Sequence, residues 1–447
     1  MLRFQYPAWR LALLSLLLAM LTGAVLRFAF LYGLPLNLRF DDVRHAHSHL
    51  MFFSWATPAL MLFAAEATRR AGGRLPGGGL VAVIAGVAGL VAYVPFLVSG
   101  YRLMPLGGRD LPLSMMASGL NGLVWYLFAA LYLVGTWRLT RHPALRLLDG
   151  AVVLLLVSSA GAVLLAASGI GGTATPVTNA AFVDLFLTLF ADGWFGVGVL
   201  AALVLTHFGV AARTTPYFGV ATWLLTLGLA ARSLARLASD AYSVPGVAGL
   251  ETAAAVIAAV SWAYLALSLV TRQHAALRRA AASPARAEPD TSEVAPAAEP
   301  ITDLPGYQVA VAATWLIALK ALVELVIALP AGESLYLSLG LRVLFLHAFL
   351  LGAVTLGLLA AVRGLLAPRV FAPVRAFAWS VLVLVVCLVP LTGVWPTSLA
   401  GRWMLWAAAW SSLVPPVIVA AGYATGGRSA RLKTGPHGTG TRRTGLA

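Results

Sequence analysis

The chain has 447 residues, of which 60% are hydrophobic and only 11% are charged, whereas an ordinary soluble domain has about 25% charged residues. This composition excludes a water-soluble globular protein and is typical of a membrane protein. The formal net charge of +15 indicates positive loops on the cytoplasmic side of a membrane, and we expect no nucleic acid partner. The single cysteine, Cys387, excludes a disulfide framework and any metal site built from cysteines.

Twelve apolar stretches are long enough to cross about 30 Å of hydrocarbon as helices, since each crossing takes about 20 residues. They lack the alternating pattern of a transmembrane β-barrel. The predicted fold class is therefore all-α, a polytopic membrane protein with about 12 transmembrane helices. The predicted helices cover residues 9–31, 44–68, 79–99, 113–137, 148–168, 182–208, 216–237, 247–271, 308–329, 338–363, 373–395 and 402–424.

The basic residues predict how these helices are oriented. Twelve crossings place both termini on one side of the membrane, and most of the 31 Lys and Arg residues fall on that side. This asymmetry predicts cytoplasmic termini. We therefore expect a multi-pass protein of a bacterial-type inner (plasma) membrane, with the lipid bilayer as its first partner.

Two segments interrupt the helical pattern. Residues 283–306 are rich in Pro, Ala and acidic residues, and such a composition cannot bury a core. We expect a disordered cytoplasmic linker there, between helices one to eight (residues 1–282) and helices nine to twelve (residues 307–425). Residues 426–447 are basic and rich in glycine, which predicts a cytoplasmic tail.

Four of the eight histidines lie in helices two and ten, near the outer face: His45, His47, His49 and His347. An imidazole within a membrane helix is costly and by default marks function. His47 and His347 lie at similar depths in the outer third of the bilayer. Two imidazoles on different helices could clamp a flat metal macrocycle from both faces, as the two axial ligands of a haem iron do.

The spacing on helix two leaves the choice of ligand open. At about 100° per residue, His45 and His49 share one face and His47 points to the opposite side, so the three cannot serve one iron. Either His47 is the haem ligand, or His45 and His49 form a separate copper or zinc site, or His45 caps the interface beside Arg44. A structural alternative is that these histidines only form hydrogen bonds between helices.

The chain resembles subunit I of the haem–copper oxidase superfamily, including its nitric-oxide-response relatives. The resemblance covers most of the chain. In that family a helix-two haem ligand is followed eleven residues later by Pro, as His47 is by Pro58. In one branch a helix-ten ligand is followed five residues later by Gly, as His347 is by Gly352. The resemblance implies an oxidase-like helix bundle holding a b-type haem between His47 and His347, with an electron-donor cytochrome or other subunits as partners.

The chain departs from this family at the oxygen-reducing centre. The ligand of the second haem would stand at Phe345, and helix seven has no histidine to bind copper. What remains of the resemblance is a haem with both axial positions filled. Such a haem implies electron transfer, or a response to nitric oxide or redox state. Two alternatives stay open. One is a catalytic terminal oxidase or nitric oxide reductase subunit with unusual ligands such as Asp192, and the other is a twelve-span transporter without a cofactor.

Acidic and basic residues inside the predicted spans suggest further roles. Asp184 and Asp192, in the outer half of helix six, are candidates for a proton relay, because buried carboxylates hold and pass on protons. An ion pair with an arginine, or a position in the partly hydrated end of an over-long span, is an equally good interpretation of both. Lys320 and Glu324 are four residues apart on helix nine, and this spacing predicts an internal ion pair.

Two arginines on the predicted outer side are candidates for binding the haem propionates. They are Arg44 and Arg402, and arginine pairs well with carboxylates. In the resembling family an arginine-bearing loop between helices eleven and twelve has this role, and Arg402 lies in that loop.

Overall fold

The computed structural model describes residues 2–173, 175–209, 215, 217–282, 303–329, 338–365 and 371–431. Within them, twelve helices are long and apolar enough to cross a membrane, which confirms the predicted all-α polytopic fold. They are α1 Tyr6–Tyr32, α2 Phe40–Arg70, α3 Gly78–Ser99, α4 Leu113–Thr136, α5 Pro143–Gly169, α6 Pro176–Phe208, α7 Phe218–Tyr242, α8 Ala248–Arg279, α9 Leu304–Ile327, α10 Leu339–Leu365, α11 Val374–Leu391 and α12 Arg402–Thr425.

A small hairpin is the only β-structure in the described part of the chain. Its strands, β1 (Met104–Leu106) and β2 (Arg109–Leu111), pair antiparallel between α3 and α4. Gly107 and Gly108 connect them with φ values of 59° and 77°. Glycine adopts this left-handed region without steric cost, which allows the two-residue turn.

Helices α2 and α6 are the most enclosed of the twelve. They lie at the centre of the bundle, and an indole side chain of each reaches a neighbouring helix. Trp55 of α2 donates its Nε1–H to Thr355 Oγ1 of α10 at 3.2 Å. Trp194 of α6 donates to Thr57 Oγ1 of α2, also at 3.2 Å. These buried hydrogen bonds fix the relative positions of three helices.

The same three helices each contain a π-helical stretch. The stretches are Leu50–Ala56 in α2, Leu189–Val197 in α6 and His347–Thr355 in α10. Such stretches are rare and occur frequently at functional sites, because the wider turn changes which side chains point inward. No sequence pattern predicted them. They place His347 at the start of one stretch and His49 directly before another.

The predicted linker extends too far at its C-terminal end. Helix α9 begins at Leu304, and Asp303 forms two hydrogen bonds with Arg363 of α10, of 2.8 and 2.7 Å. This long-range ion pair holds the start of α9, and local composition could not reveal it. The last helical segment runs to Arg431, past the predicted start of the tail. Residues 283–302 and 432–447 lie outside the described residues.

Candidate functional site

His47 and His347 have the same hydrogen-bond arrangement. Nδ1 of His47 lies 2.7 Å from the carbonyl oxygen of Ala19 on α1, and Nδ1 of His347 lies 2.7 Å from that of Val343. A carbonyl only accepts, so each Nδ1 carries a proton, and in a neutral imidazole Nε2 then keeps its lone pair. In the described part of the chain, no hydrogen bond engages either Nε2. Metal-binding histidines are oriented by this kind of bond.

The structure brings these two imidazoles into one region. His347 lies within electrostatic range of His47, and Arg27 of α1 lies within range of both. Both rings are surrounded by protein atoms on all sides. Part of the surface of each residue is nevertheless accessible, so both are half-buried. Side chains that line a space between helices have this combination.

One face of α1 supports the site. Ala19, Gly23 and Arg27 follow one another at four-residue intervals and so lie along one side of the helix. At Gly23, an added Cβ would lie 2.9 Å from Cε1 of His47, closer than real Cβ atoms come to another atom. The missing side chain therefore lets the imidazole lie against α1, where the Ala19 carbonyl accepts a hydrogen bond from its Nδ1–H.

Arg27 is a candidate site residue that sequence reasoning missed. It is half-buried, and no ion pair or hydrogen bond engages it among the residues that the structure describes. A cation inside a membrane span is costly, so the guanidinium requires an anionic partner. An arginine far from either end of the apolar run of α1 was the available signal.

His45 and His49 have other neighbours. Nδ1 of His49 bonds to the carbonyl oxygen of His45 at 2.8 Å, and Nε2 lies 3.4 Å from Ser118 Oγ. The His49 ring stacks on Phe96 with 3.7 Å between centroids, while His45 meets Tyr101 edge-on. No group of three or more His, Cys, Asp or Glu side chains among the described residues is arranged to hold a metal ion. A second metal at His45 and His49 stays a prediction.

Asp192, Lys320 and Glu324 form a buried ionic cluster between α6 and α9. Lys320 Nζ lies 3.2 Å from Asp192 Oδ1 and also pairs with Glu324. The predicted pair of Lys320 and Glu324 is confirmed, and Asp192 joins it from a helix distant in the sequence. Asp184, the other predicted relay residue, lies 3.6 Å from Arg236 of α7 and is half-buried. The predicted ion pair with an arginine is confirmed for Asp184, whereas Asp192 pairs with a lysine, Lys320.

The Lys320 ammonium lies among aromatic rings of α10 and α8. Its Nζ is 6.0 Å from the ring centroid of Phe345 and 4.8 Å from that of Phe349, the two phenylalanines that flank His347 on α10. It is also 5.3 Å from the ring of Trp262 on α8. The aromatic faces add cation–π attraction to the ion pairs.

Arg44 lies near the start of α2, and Arg402 lies at the start of α12. Arg44 is exposed and pairs with Asp41 at 3.1 Å, and Arg402 is exposed at the first residue of α12. Their contacts with haem propionates stay predictions. Arg27 is instead the cation that lies within range of both imidazoles.

The interpretation of the site depends on the chemistry of these residues, because comparisons with known proteins found no match. No protein-family model matches the chain, and no curated protein matches it.

Proposed function

We propose that this chain is a haem b-binding integral membrane protein, related to subunit I of the haem–copper oxidases, in which His47 and His347 are the two axial ligands of a low-spin haem. Its function would be electron transfer, or a response to nitric oxide or redox state. The observation that carries the proposal is the pair of imidazoles on α2 and α10, within electrostatic range of each other. Each has an Nε2 lone pair without a partner among the described residues, and two such lone pairs are the ligand set of a six-coordinate haem iron.

Arg27 supports a haem over a bare metal ion. A metal cation would be repelled by the unpaired guanidinium, whereas a haem brings two propionate carboxylates that neutralise it. A bare copper or zinc ion would also need more protein ligands, and the described residues contain no cluster of three. The residues present therefore fit a haem, whose iron would supply the change of oxidation state.

The ionic cluster favours electron transfer or sensing over oxygen reduction. The catalytic alternative requires unusual metal ligands, and Asp192 was the named candidate. Its carboxylate instead contacts the Lys320 ammonium at 3.2 Å. The cofactor-free transporter leaves the Nε2 lone pairs and the unpaired Arg27 without an explanation.

The charge distribution supports a definite orientation. We propose that both termini lie in the cytoplasm of a bacterial-type inner membrane, because most of the basic residues would then be cytoplasmic. This places the imidazole pair near the outer face, within reach of an electron-donor cytochrome or another subunit. A reporter that works only in the cytoplasm should be active when fused after Ala447. A reporter that works only outside the cytoplasm should be inactive at the same position.

Haem retention in single variants tests the ligand assignment. We expect the purified protein to contain haem b, and we expect His47→Ala and His347→Ala each to lose it, as measured by haem extraction and the reduced absorption spectrum. His274→Ala is the control, because His274 lies at the other end of the bundle, near Trp315. Haem loss in His45→Ala or His49→Ala but not in His47→Ala would refute the choice of ligand.

A further inference from the structure

Two buried carboxyl groups meet on the same lysine. Lys320 Nζ lies 3.2 Å from Asp192 Oδ1 of α6, and Glu324 of α9 contacts the same nitrogen. No more than 9% of the surface of any of these three residues is exposed. The carboxyl groups of Asp192 and Glu324 also lie within hydrogen-bond distance of each other. One ammonium therefore serves two acidic groups that are in contact.

The charges of this cluster do not balance if both carboxyl groups are ionised. Two carboxylates and one ammonium leave one negative charge in the interior of the bundle, where an uncompensated charge is costly. Arg232 of α7 lies within electrostatic range of both carboxyl groups, but no ion pair joins it to either of them among the described residues. The rings that face Lys320 from α8 and α10 are uncharged, and they belong to Trp262, Phe345 and Phe349. Lys320 thus neutralises only one of the two carboxyl groups by contact.

The contact between the two carboxyl groups also lacks a hydrogen-bond donor. Two ionised carboxylates only accept, and they repel each other at this distance. Glu324 Oε2 is buried and receives no hydrogen bond from another described group, although folded proteins pair nearly all buried polar atoms. A proton on either carboxyl group would supply the donor. It needs no cavity, because it occupies the hydrogen bond itself.

We propose that Asp192 and Glu324 form a proton-binding site, in which a carboxylic acid and a carboxylate share one proton beside the Lys320 ammonium. The O–H of the acid donates to the carboxylate. The shared proton removes the repulsion between like charges, as it does wherever two carboxyl groups in contact cannot both ionise. It also makes the cluster of the three side chains neutral, because the remaining carboxylate balances the ammonium.

Such a site can take part in proton transfer inside the membrane. Ionisable residues within membrane spans by default mark function, including chains that pass protons. Lys320 contacts both carboxyl groups, so the proton can leave or return while the ammonium still holds α6 and α9 together. The proposal gives Asp192 the relay role that the sequence suggested and adds Glu324 as its partner. It is independent of any haem at His47.

Infrared spectroscopy of the purified full-length protein at neutral pH tests the site. A carboxylic acid has a C=O stretching band that carboxylates lack and that lies apart from the amide bands. Exposed aspartates and glutamates are ionised at neutral pH, so they do not contribute to it. We expect the parent protein to show this band. A parent spectrum without a carboxylic acid band would overturn the proposal.

Two isosteric variants assign the band to the pair. Asp192→Asn and Glu324→Gln each leave one carboxyl group, which should ionise against Lys320, so each variant should lose the shared-proton band. The new amide N–H can donate the hydrogen bond that the acid donated, and we expect melting temperatures close to that of the parent.

Asp184→Asn is the matched control for these variants. It makes the same substitution about two turns earlier on α6, at a carboxylate that pairs with Arg236. We expect it to keep the band at full intensity. A band of parental intensity in both Asp192→Asn and Glu324→Gln would overturn the proposal, because the acid would then belong to another residue.

Discussion

Backbone carbonyls determine what the imidazoles of His47 and His347 can bind. Each accepts a hydrogen bond from the Nδ1–H of one ring, with 2.7 Å between nitrogen and oxygen, and in a neutral imidazole this leaves the Nε2 lone pair available. The ring of His47 is held from a different helix, α1, whereas that of His347 is held from one turn earlier in its own helix. Displacement of α1 should therefore affect His47 first.

Gly23→Ala tests the contact between α1 and His47. The new Cβ would lie 2.9 Å from the Cε1 atom of the imidazole, so the ring must move. Overpacking of this kind costs about 1–3 kcal/mol, and we expect haem affinity to fall roughly tenfold, since about 1.4 kcal/mol corresponds to a factor of ten. Haem titration of the apoprotein measures the change. Gly122→Ala is the control because a Cβ there meets nothing within 4 Å, and equal affinities in both variants would contradict the account.

Arg27→Gln tests whether the guanidinium binds a propionate. Hydrogen bonds to charged groups contribute about 1.5–3 kcal/mol, so we expect haem affinity to fall between about tenfold and a hundredfold. Arg27→Lys should restore part of it, because lysine keeps the charge but not the planar fork. Arg44→Gln should leave affinity unchanged. A larger loss in Arg44→Gln or Arg402→Gln would transfer this role to the arginines predicted from the sequence.

At the scale of the helices, three central elements carry both the π-helical stretches and the polar contacts of the core. The stretch in α10 begins at His347 itself, and the one in α6 contains Asp192. A π-turn shifts the register of the side chains that follow it. This shift helps α6 to present Asp192 towards α9, where Lys320 lies.

Lys320→Met tests the ionic cluster between α6 and α9. The substitution leaves Asp192 and Glu324 buried without their shared cation, and breaking a buried pair in this way costs about 3–5 kcal/mol. We expect a clear fall in melting temperature in detergent. Replacement of all three residues by apolar residues of similar volume should recover most of it, since a complete ion cluster contributes little net stability. An unchanged melting temperature in Lys320→Met would show that the cluster is not buried as described.

Spacing within one helix was enough to predict some contacts but not others. Lys320 and Glu324 are one turn apart on α9, so their pairing follows from local geometry. Asp192 joins them across more than a hundred residues, and Asp303 pairs with Arg363 across 60 residues. Such contacts depend on how the helices pack. The π-helical stretches likewise reflect tertiary packing rather than local sequence.

For the molecule as a whole, apolar length was sufficient to predict the architecture. All twelve predicted spans coincide with helices of the structure, because a helix that crosses lipid must be long and apolar and must satisfy its own backbone. The positions of His47 and His347 on α2 and α10 followed from the same pattern. Arg27 was missed because its role depends on the face that α1 presents to α2.

The stability of the whole protein should depend on pH through His142, which lies between α4 and α5. Both of its ring nitrogens are buried without a partner among the described residues. Burial, with a smaller effect of Arg141, lowers the pKa of His142 from 6.5 to about 4. Between pH 6.5 and about 4, His142 therefore binds a proton in the unfolded chain but stays neutral in the folded state. Stability from neutral His142 is present above pH 6.5 and is lost as the pH falls towards 4.

Melting temperatures across this pH range check the effect. We expect His142→Gln to lose less stability than the parent protein on acidification, while His274→Gln should follow the parent. Parallel curves for His142→Gln and the parent would contradict the assignment.

Low-temperature electron paramagnetic resonance of the oxidised, purified protein tests the central claim most directly. Two imidazole ligands predict a low-spin ferric signal, and His347→Ala should convert any haem that remains to the high-spin form. A high-spin signal in the parent protein, or no haem signal at all, would contradict the assignment of His47 and His347 as axial ligands.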